Sequence, residues 1–307
     1  TLFRSNLEKK IEDEIMELVN DSFEIPVYKR KKINKEILVL AGGGVKGIIH
    51  LGVADALLEQ NILHNITTFA GTSIGGVICA FLNLGYGPGE LFQFVKSFPL
   101  QKLKNINILN IFGKYGFDNG NKLTILFQQM IEAKGFPKTL TLNELFLFTG
   151  KLLYLTTVNL TRMKVVYLSH LTHPDLPLYL ALRMTTSVPI YFEPPMYNGD
   201  HYVDGGCMDN YPVHMFGDKL DKVIGVYLTP QTDNFYKIKS IEDYVFRLIQ
   251  CIVEGVALNY TKNYENYTIS IPSSNLNFID LNLSDSDKYD LFKSGYDSTA
   301  KYLKKNK

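Results

Sequence analysis

Two strand–glycine–helix units follow one another directly near the start of this chain, and together they leave few folds open. Glu36-Ile37-Leu38-Val39-Leu40-Ala41 is a continuous apolar run of the kind that a parallel sheet buries on both faces. It runs into Gly42-Gly43-Gly44-Val45-Lys46-Gly47, and a helical stretch from Ile48 to Gln60 carries Leu51, Ala54, Leu57 and Leu58 on one face. The second unit repeats the plan: an extended run from Ile66 to Ala70, then Gly71-Thr72-Ser73-Ile74-Gly75, then a helix from Val77 to Leu84. Strands alternating with helices through such short links specify an α/β fold whose sheet is mostly parallel and flanked by helices.

The second link is a G-x-S-x-G sequence between a strand and a helix. That context makes it a nucleophile elbow, a sharp turn that presents the serine at the end of a sheet with a helix N-terminus beneath it. The competing reading is an ordinary βα loop of small residues. Upstream, three consecutive glycines let backbone N–H groups converge as an anion-binding nest, reinforced by the start of the following helix. An oxyanion fits there, and losing one donor of such a hole typically costs ~3–4 kcal/mol of transition-state stabilisation. Gly42, Gly44 and Gly47 also satisfy G-x-G-x-x-G, but a dinucleotide site wants an acidic residue at the tip of the second strand, which here ends Ala70-Gly71-Thr72-Ser73. A P-loop fails as well, because Ile48-Ile49 follows Gly47.

A serine nucleophile needs a base. Tyr202-Val203-Asp204-Gly205-Gly206 reads as a short strand ending in a carboxylate with two glycines behind it, which allow close backbone packing and unobstructed reach; the plainer reading is an Asp-Gly turn.

In these three elements the chain resembles the patatin-like phospholipases. The resemblance continues through Ala181-Leu182-Arg183-Met184-Thr185-Thr186-Ser187-Val188-Pro189-Ile190-Tyr191-Phe192-Glu193-Pro194 and Asp209-Asn210-Tyr211-Pro212, and spans about Ile37 to Val213. It implies a patatin-like three-layer architecture and a lipid acyl hydrolase, of phospholipase A type or a lysophospholipase, working through an acyl-enzyme without a metal or other cofactor. Ser73 is carried over as nucleophile, Asp204 as general base and Gly42, Gly43 and Gly44 as the oxyanion hole. Gly47, Gly71, Gly75, Gly205 and Gly206 support those loops. A Ser73–Asp204–His214 triad is the rival, since Ser…Asp…His is the chain order of α/β-hydrolases. A catalytically silent module that binds lipid or a partner protein is the alternative from another class, although such relatives lose the serine or the aspartate, and both stand here. No residue set separates phospholipid, lysophospholipid and acylglycerol.

Other signals are weak. His170-Leu171-Thr172-His173 lacks the spacing of a zinc site. Asp285-Ser286-Asp287-Lys288-Tyr289-Asp290 has an aspartate where a calcium loop needs glycine, so Ser284 with Asp287 reads as a helix N-cap. Lysine plus arginine number 32 against 31 acids, a formal net charge of +1 that argues against a nucleic-acid partner. The partner expected is a membrane or micellar lipid surface, touched peripherally. For this, Phe98 to Asn121 offers Leu, Ile and Phe beside Lys102, Lys104 and Lys114, and Ile190-Tyr191-Phe192 with Tyr197 brings aromatics near the site. Both could equally be loop and core. Three cysteines, Cys79, Cys207 and Cys251, imply no disulfide framework and fit a reducing compartment. Thr1 to Glu14 is charged rather than a secretory leader, and no uncharged run reaches the ~18 residues of a membrane span. The expected setting is intracellular, cytoplasmic with peripheral membrane association.

The chain divides on paper into an N-terminal helix (Leu7 to Val19) with a basic connector (1–35), a catalytic core (36–230) and a mainly helical C-terminal part packed on it (231–307). Within the last, Ile241 to Tyr260 repeats apolar pairs at Tyr244/Val245, Leu248/Ile249 and Ile252/Val253, which predicts a helix with one buried face. Thr141-x-x-Glu144 predicts a capping box.

Overall fold

A computed structural model of the chain describes residues 34–229, 237–261, 263–273 and 281–305. The expected N-terminal helix and the basic connector lie outside the described residues. In chain order the main elements are β1 (Ile37–Leu40), α1 (Ile48–Glu59), β2 (Thr68–Thr72), α2 (Ile74–Asn83), α3 (Pro88–Ser97), β3 (Gly116–Asp118), α4 (Asn121–Ala133), α5 (Leu142–Thr149), β4 (Leu152–Asn159), β5 (Lys164–Leu168), α6 (Leu178–Thr185), β6 (Ile190–Phe192), β7 (Met196–Tyr197), β8 (Asp200–Asp204), β9 (Val223–Thr229), α7 (Ile241–Thr261), β10 (Thr268–Pro272) and α8 (Asp285–Lys305).

The main sheet runs β10-β9-β1-β2-β4-β8-β7, with β5 also on β4. β10, β9, β1, β2 and β4 are mutually parallel, and β5, β8 and β7 join antiparallel, so the mostly parallel α/β sheet expected from the alternating units is the one formed. β1 is buried at every residue, which is why its sequence is an unbroken aliphatic run rather than an alternating one. Helix α1 is apolar nearly all round because it is covered nearly all round: α8 crosses it so closely that a Cβ on Gly52 would strike the Phe292 carbonyl oxygen, and one on Gly295 the Ile49 carbonyl oxygen. Phe92 of α3 and Phe292 of α8 close the same layer with ring centroids 4.2 Å apart.

The register around β4 brings distant parts of the chain together. Residues 152–156 of β4 pair with β2, residues 155–159 with β5, and residues 157–159 with β8. A strand has two edges, so β5 occupies one, and β2 and β8 share the other end to end. Thr72 sits opposite Thr156 and Asp204 opposite Thr157, so the C-terminal tips of β2 and β8 meet head-on along β4.

Two local expectations need revision. The Phe98 to Asn121 stretch, expected as a loop or lid-like segment, contains helical turns at Leu100–Leu103, Ile108–Asn110 and Ile111–Lys114, and β3 pairs with β6 in a separate two-stranded sheet. In α7 the apolar pairs are split rather than buried together: Ile249 is buried and Val245 and Val253 half-buried, while Tyr244, Leu248 and Ile252 are exposed. Besides α7 and α8 the C-terminal part contributes β10, which extends the sheet beyond β9. The capping box forms, with Glu144 N–H donating to Thr141 Oγ1 and Thr141 N–H to Glu144 Oε2. So does the N-cap, with Asp287 N–H donating to Ser284 Oγ at 3.1 Å. Among the described residues no helix is long and apolar enough to cross a membrane.

Candidate active site

Ser73 stands between β2 and α2 with φ 54° and ψ −128°, a conformation in the left-handed half of backbone space that a side-chain-bearing residue adopts only when its surroundings compel it. What compels it is visible. A Cβ on Gly71 would lie 2.6 Å from the Gly75 carbonyl carbon, and one on Gly75 would strike the carbonyl oxygens of Leu40 and Ala41, so the turn can close this tightly only with glycine at both positions. Ser73 N–H donates to Thr185 Oγ1 at 2.9 Å, and that hydroxyl in turn donates to the Thr156 carbonyl at 2.6 Å. The elbow is therefore tied to α6 and β4 as well as to its own helix, whose N-terminus begins at the next residue.

Asp204 ends β8 and faces Ser73. Its N–H donates to the Ser187 carbonyl, and its Oδ1 accepts from Gly206 N–H at 2.8 Å. Burial raises its pKa from 3.8 to about 6, while the Ser73 side chain beside it and the Gly206 N–H that it accepts from oppose the rise. Gly205 packs directly on the Thr156 carbonyl oxygen, and a Cβ on Gly206 would lie 3.0 Å from Asn210 Oδ1.

The glycine loop after β1 lies against the elbow. A Cβ on Gly42 would come 3.3 Å from Ser73 Cβ and collide with the Asn210 side-chain oxygen, and one on Gly47 would collide with the Ile74 side chain. Gly42 departs from its expected role: its N–H donates to the Asn210 carbonyl at 3.1 Å and is not free to hold an oxyanion. Among the described residues the N–H groups of Gly43 and Gly44 have no such partner. They leave two of the three expected donors available.

His214 is not part of this cluster. Its Nε2 lies 3.1 Å from Tyr167 Oη and 3.7 Å from Asp209 Oδ2, and Tyr167 Oη donates to that carboxylate at 2.8 Å. Asp204 stands beside Ser73 in the cavity and accepts from Gly206 N–H, whereas His214 is held by Tyr167 and Asp209, so the triad reading fails on geometry.

Ser73, Asp204, Gly43 and Gly44 open into one cavity of about 310 Å³. Its walls are mainly apolar, with Val77 and Phe81 from α2, Phe94 from α3, Leu126 and Met130 from α4 and Val253 from α7. Tyr191 and Phe192 line it as expected, whereas Tyr197 does not and rests near the His173 ring, 6.4 Å between centroids. Cys207 also lines it, but burial and the nearby Asp204 push its thiol up to about 12, which makes it a poor nucleophile. Among the described residues no three His, Cys, Asp or Glu side chains converge as a metal site.

Several contributors were not singled out from sequence. Thr185 and Asn210 lie inside quoted motifs yet show their roles only in three dimensions. Lys46, buried at the loop, donates to Ser273 Oγ at 3.3 Å; burial lowers its pKa, and Glu254 of α7, also in the cavity wall, counters this. His50 is fully buried in α1 with Nε2 2.8 Å from the Ala41 carbonyl, at the foot of the glycine loop. The signal for it was a histidine within the otherwise apolar run Ile48-Ile49-His50-Leu51.

Comparison with known proteins gives a consistent picture. The family model Patatin-like phospholipase matches residues 38–216. "Probable lipid hydrolase 463L" of Invertebrate iridescent virus 6 is 32% identical over 57% of the chain and 61% of its own length. "Triacylglycerol lipase 4" of Saccharomyces cerevisiae is 26% identical over 72% of the chain but only 27% of its own length. Among solved structures, VipD from Legionella pneumophila superposes with a TM-score of 0.63 at 17% identity, covering 89% of this chain and 67% of that one, a likeness of fold.

Proposed function

The chain belongs to the patatin-like phospholipase family, and from that premise we propose that it is a lipid acyl hydrolase, of phospholipase A type or a lysophospholipase, acting through a Ser73–Asp204 dyad. The observation that carries the reading is the pairing of a strained, accessible serine with a buried carboxylate at the polar end of an apolar cavity. The cavity takes the acyl chain, and its mouth holds the ester.

In this mechanism Ser73 Oγ attacks the acyl carbonyl carbon while its proton passes to Asp204. The displaced electron pair settles on the carbonyl oxygen, which accepts hydrogen bonds from Gly43 and Gly44 N–H, with the N-terminus of α2 adding favourable potential. Collapse breaks the bond to the glycerol oxygen, and Asp204 returns the proton to that leaving group. Water then attacks the acyl-enzyme, again losing its proton to Asp204, and the fatty acid departs as Ser73 regains its hydrogen. An ordinary carboxylate is a weak base for a hydroxyl. Burial narrows the mismatch by lifting Asp204 to about 6, so that it is ionised at neutral pH yet a better proton acceptor than an exposed aspartate.

A fluorophosphonate probe and a chromogenic short-chain ester test the reading together. Labelling and turnover by the wild type, with neither in Ser73→Ala, are the expected result. Turnover that survives in Ser73→Ala would remove the mechanism, and a folded wild type inert to both reagents would favour a silent binding module.

A further inference from the structure

We propose that the segment between Glu90 and Asp118 is a docking surface for an anionic lipid bilayer. Residues 91–117 contain Lys96, Lys102, Lys104 and Lys114 and not one aspartate or glutamate, in a chain whose whole formal charge is +1. The segment is two-sided. Phe94, Val95, Leu100 and Leu103 face inward and wall the cavity that opens at Ser73. Leu109, Phe112 and Tyr115 face outward, 75%, 85% and 64% exposed. Large apolar side chains left in water beside lysines, in a segment with no carboxylate of its own, are the composition of an interfacial element, in which rings and aliphatic groups enter the headgroup layer and lysines meet its phosphates. Lys114 is held only loosely, 3.8 Å from Glu193, and Lys122 adds a further ammonium by donating to the Lys104 carbonyl.

Charge also decides between occupants. A second copy docking here by two-fold symmetry would bring the same lysines against themselves. A leaflet carrying anionic lipid presents continuous negative potential over the whole patch. Its acyl chains would then lie against the outer side of the segment whose inner side walls the cavity, so a chain could pass from bilayer to cavity with little exposure to water. The proposal rests on the lipid-hydrolase reading for what enters the cavity, but docking itself is measurable without turnover.

The experiment uses the full chain carrying Ser73→Ala, so that vesicle lipid is not consumed. Co-sedimentation at low salt with vesicles of phosphatidylcholine plus phosphatidylglycerol, and of phosphatidylcholine alone, is compared for the parent, for the combined Lys102→Gln, Lys104→Gln, Lys114→Gln variant and for Phe112→Ser. The parent is expected to prefer the anionic vesicles. The triple variant should lose roughly fivefold per lysine, about a hundredfold in all, and high salt should weaken the parent similarly. Phe112→Ser should lose about tenfold or more, with little dependence on salt. The same substitutions in the Ser73 enzyme should leave hydrolysis of a soluble short-chain ester and the thermal midpoint unchanged, which separates docking from catalysis and from folding. Parent binding that ignores vesicle charge, or variants that bind like the parent, would overturn the surface while leaving the hydrolase reading in place. A change in sedimentation mass without lipid, abolished by the same variants, would assign the patch to a second copy and overturn the proposal. Intact vesicle binding with no ester hydrolysis by wild type would leave docking standing and remove the hydrolase.

Discussion

Replacing Asp204 by asparagine should abolish turnover and, above pH 6, make the protein more stable. The carboxyl group is buried in the fold and its pKa is lifted from 3.8 to about 6. Below pH ~4 it is protonated in folded and unfolded chains alike and costs nothing. As pH rises past the unfolded value, the unfolded chain ionises while the folded one does not, and native stability falls until the folded group also ionises near 6. Above that the penalty is constant at about 3 kcal/mol, since each pH unit between the two values is worth about 1.4 kcal/mol. Asparagine keeps the oxygen that accepts from Gly206 N–H and carries no charge, so it escapes the penalty. Urea unfolding of wild type and Asp204→Asn should therefore show a gap of up to about 3 kcal/mol in favour of the variant at pH 8, shrinking between pH 6 and 4 and absent below pH ~4. A variant less stable than wild type at pH 8, or a gap of constant size across the range, would refute the argument that burial sets this pKa.

The same ionisation governs catalysis: kcat/KM for a soluble ester should rise with pH through an apparent value near 6 and level off above it, because only the ionised Asp204 accepts the Ser73 proton. His214→Ala should keep turnover within a few-fold of wild type, its imidazole being engaged with Tyr167 and Asp209; steady-state kinetics decide. Thr185→Val removes the hydroxyl between Ser73 N–H and the Thr156 carbonyl, and should cost about 1–3 kcal/mol in denaturant titration while lowering kcat more than it raises KM. Burial holds His50 down to about 4, so at neutral pH it is uncharged, with its proton on Nε2 toward the Ala41 carbonyl. His50→Leu should depress kcat by leaving that carbonyl unpaired, and His50→Gln, which retains a donor, should restore part of it.

The three loops of the site were legible in sequence because their glycines answer to backbone. Gly75 under the Leu40 and Ala41 carbonyl oxygens, Gly71 against Gly75 and Gly205 on Thr156 are contacts that no side chain tolerates, so they leave a composition that can be read without coordinates. What three glycines in a row do not reveal is which N–H is already engaged, and Gly42 turned out to serve Asn210. Thr185 and Asn210 were hidden for a different reason. Ser73 and Thr185 are 112 residues apart in the chain, and the hydrogen bond between them exists only because the sheet brings α6 to the elbow. Periodicity found α7 but not its orientation, since adjacent apolar pairs such as Leu248/Ile249 straddle the boundary between the buried and the exposed face. β10 escaped notice as a short run ending in Pro272, a residue with no N–H to give to a neighbour, and it lies at the end of the sheet order.

Because β2 and β8 abut along one edge of β4, the spacing between nucleophile and base is indexed by a third strand that contributes neither. The connections on either side are largely relieved of that duty: residues 160–163 and, beyond the Ser187 carbonyl that holds Asp204 N–H, the excursion between α6 and β8 can lengthen or shorten without parting the hydroxyl from the carboxyl group. A single residue inserted between Thr156 and Thr157 would be another matter. It would move the Asp204 side of the joint by one strand step, about 3.3 Å, and turn the carboxylate toward the opposite face of the sheet. Natural length variation and engineered grafts are thus expected to accumulate in the turns around β4 and to spare its centre.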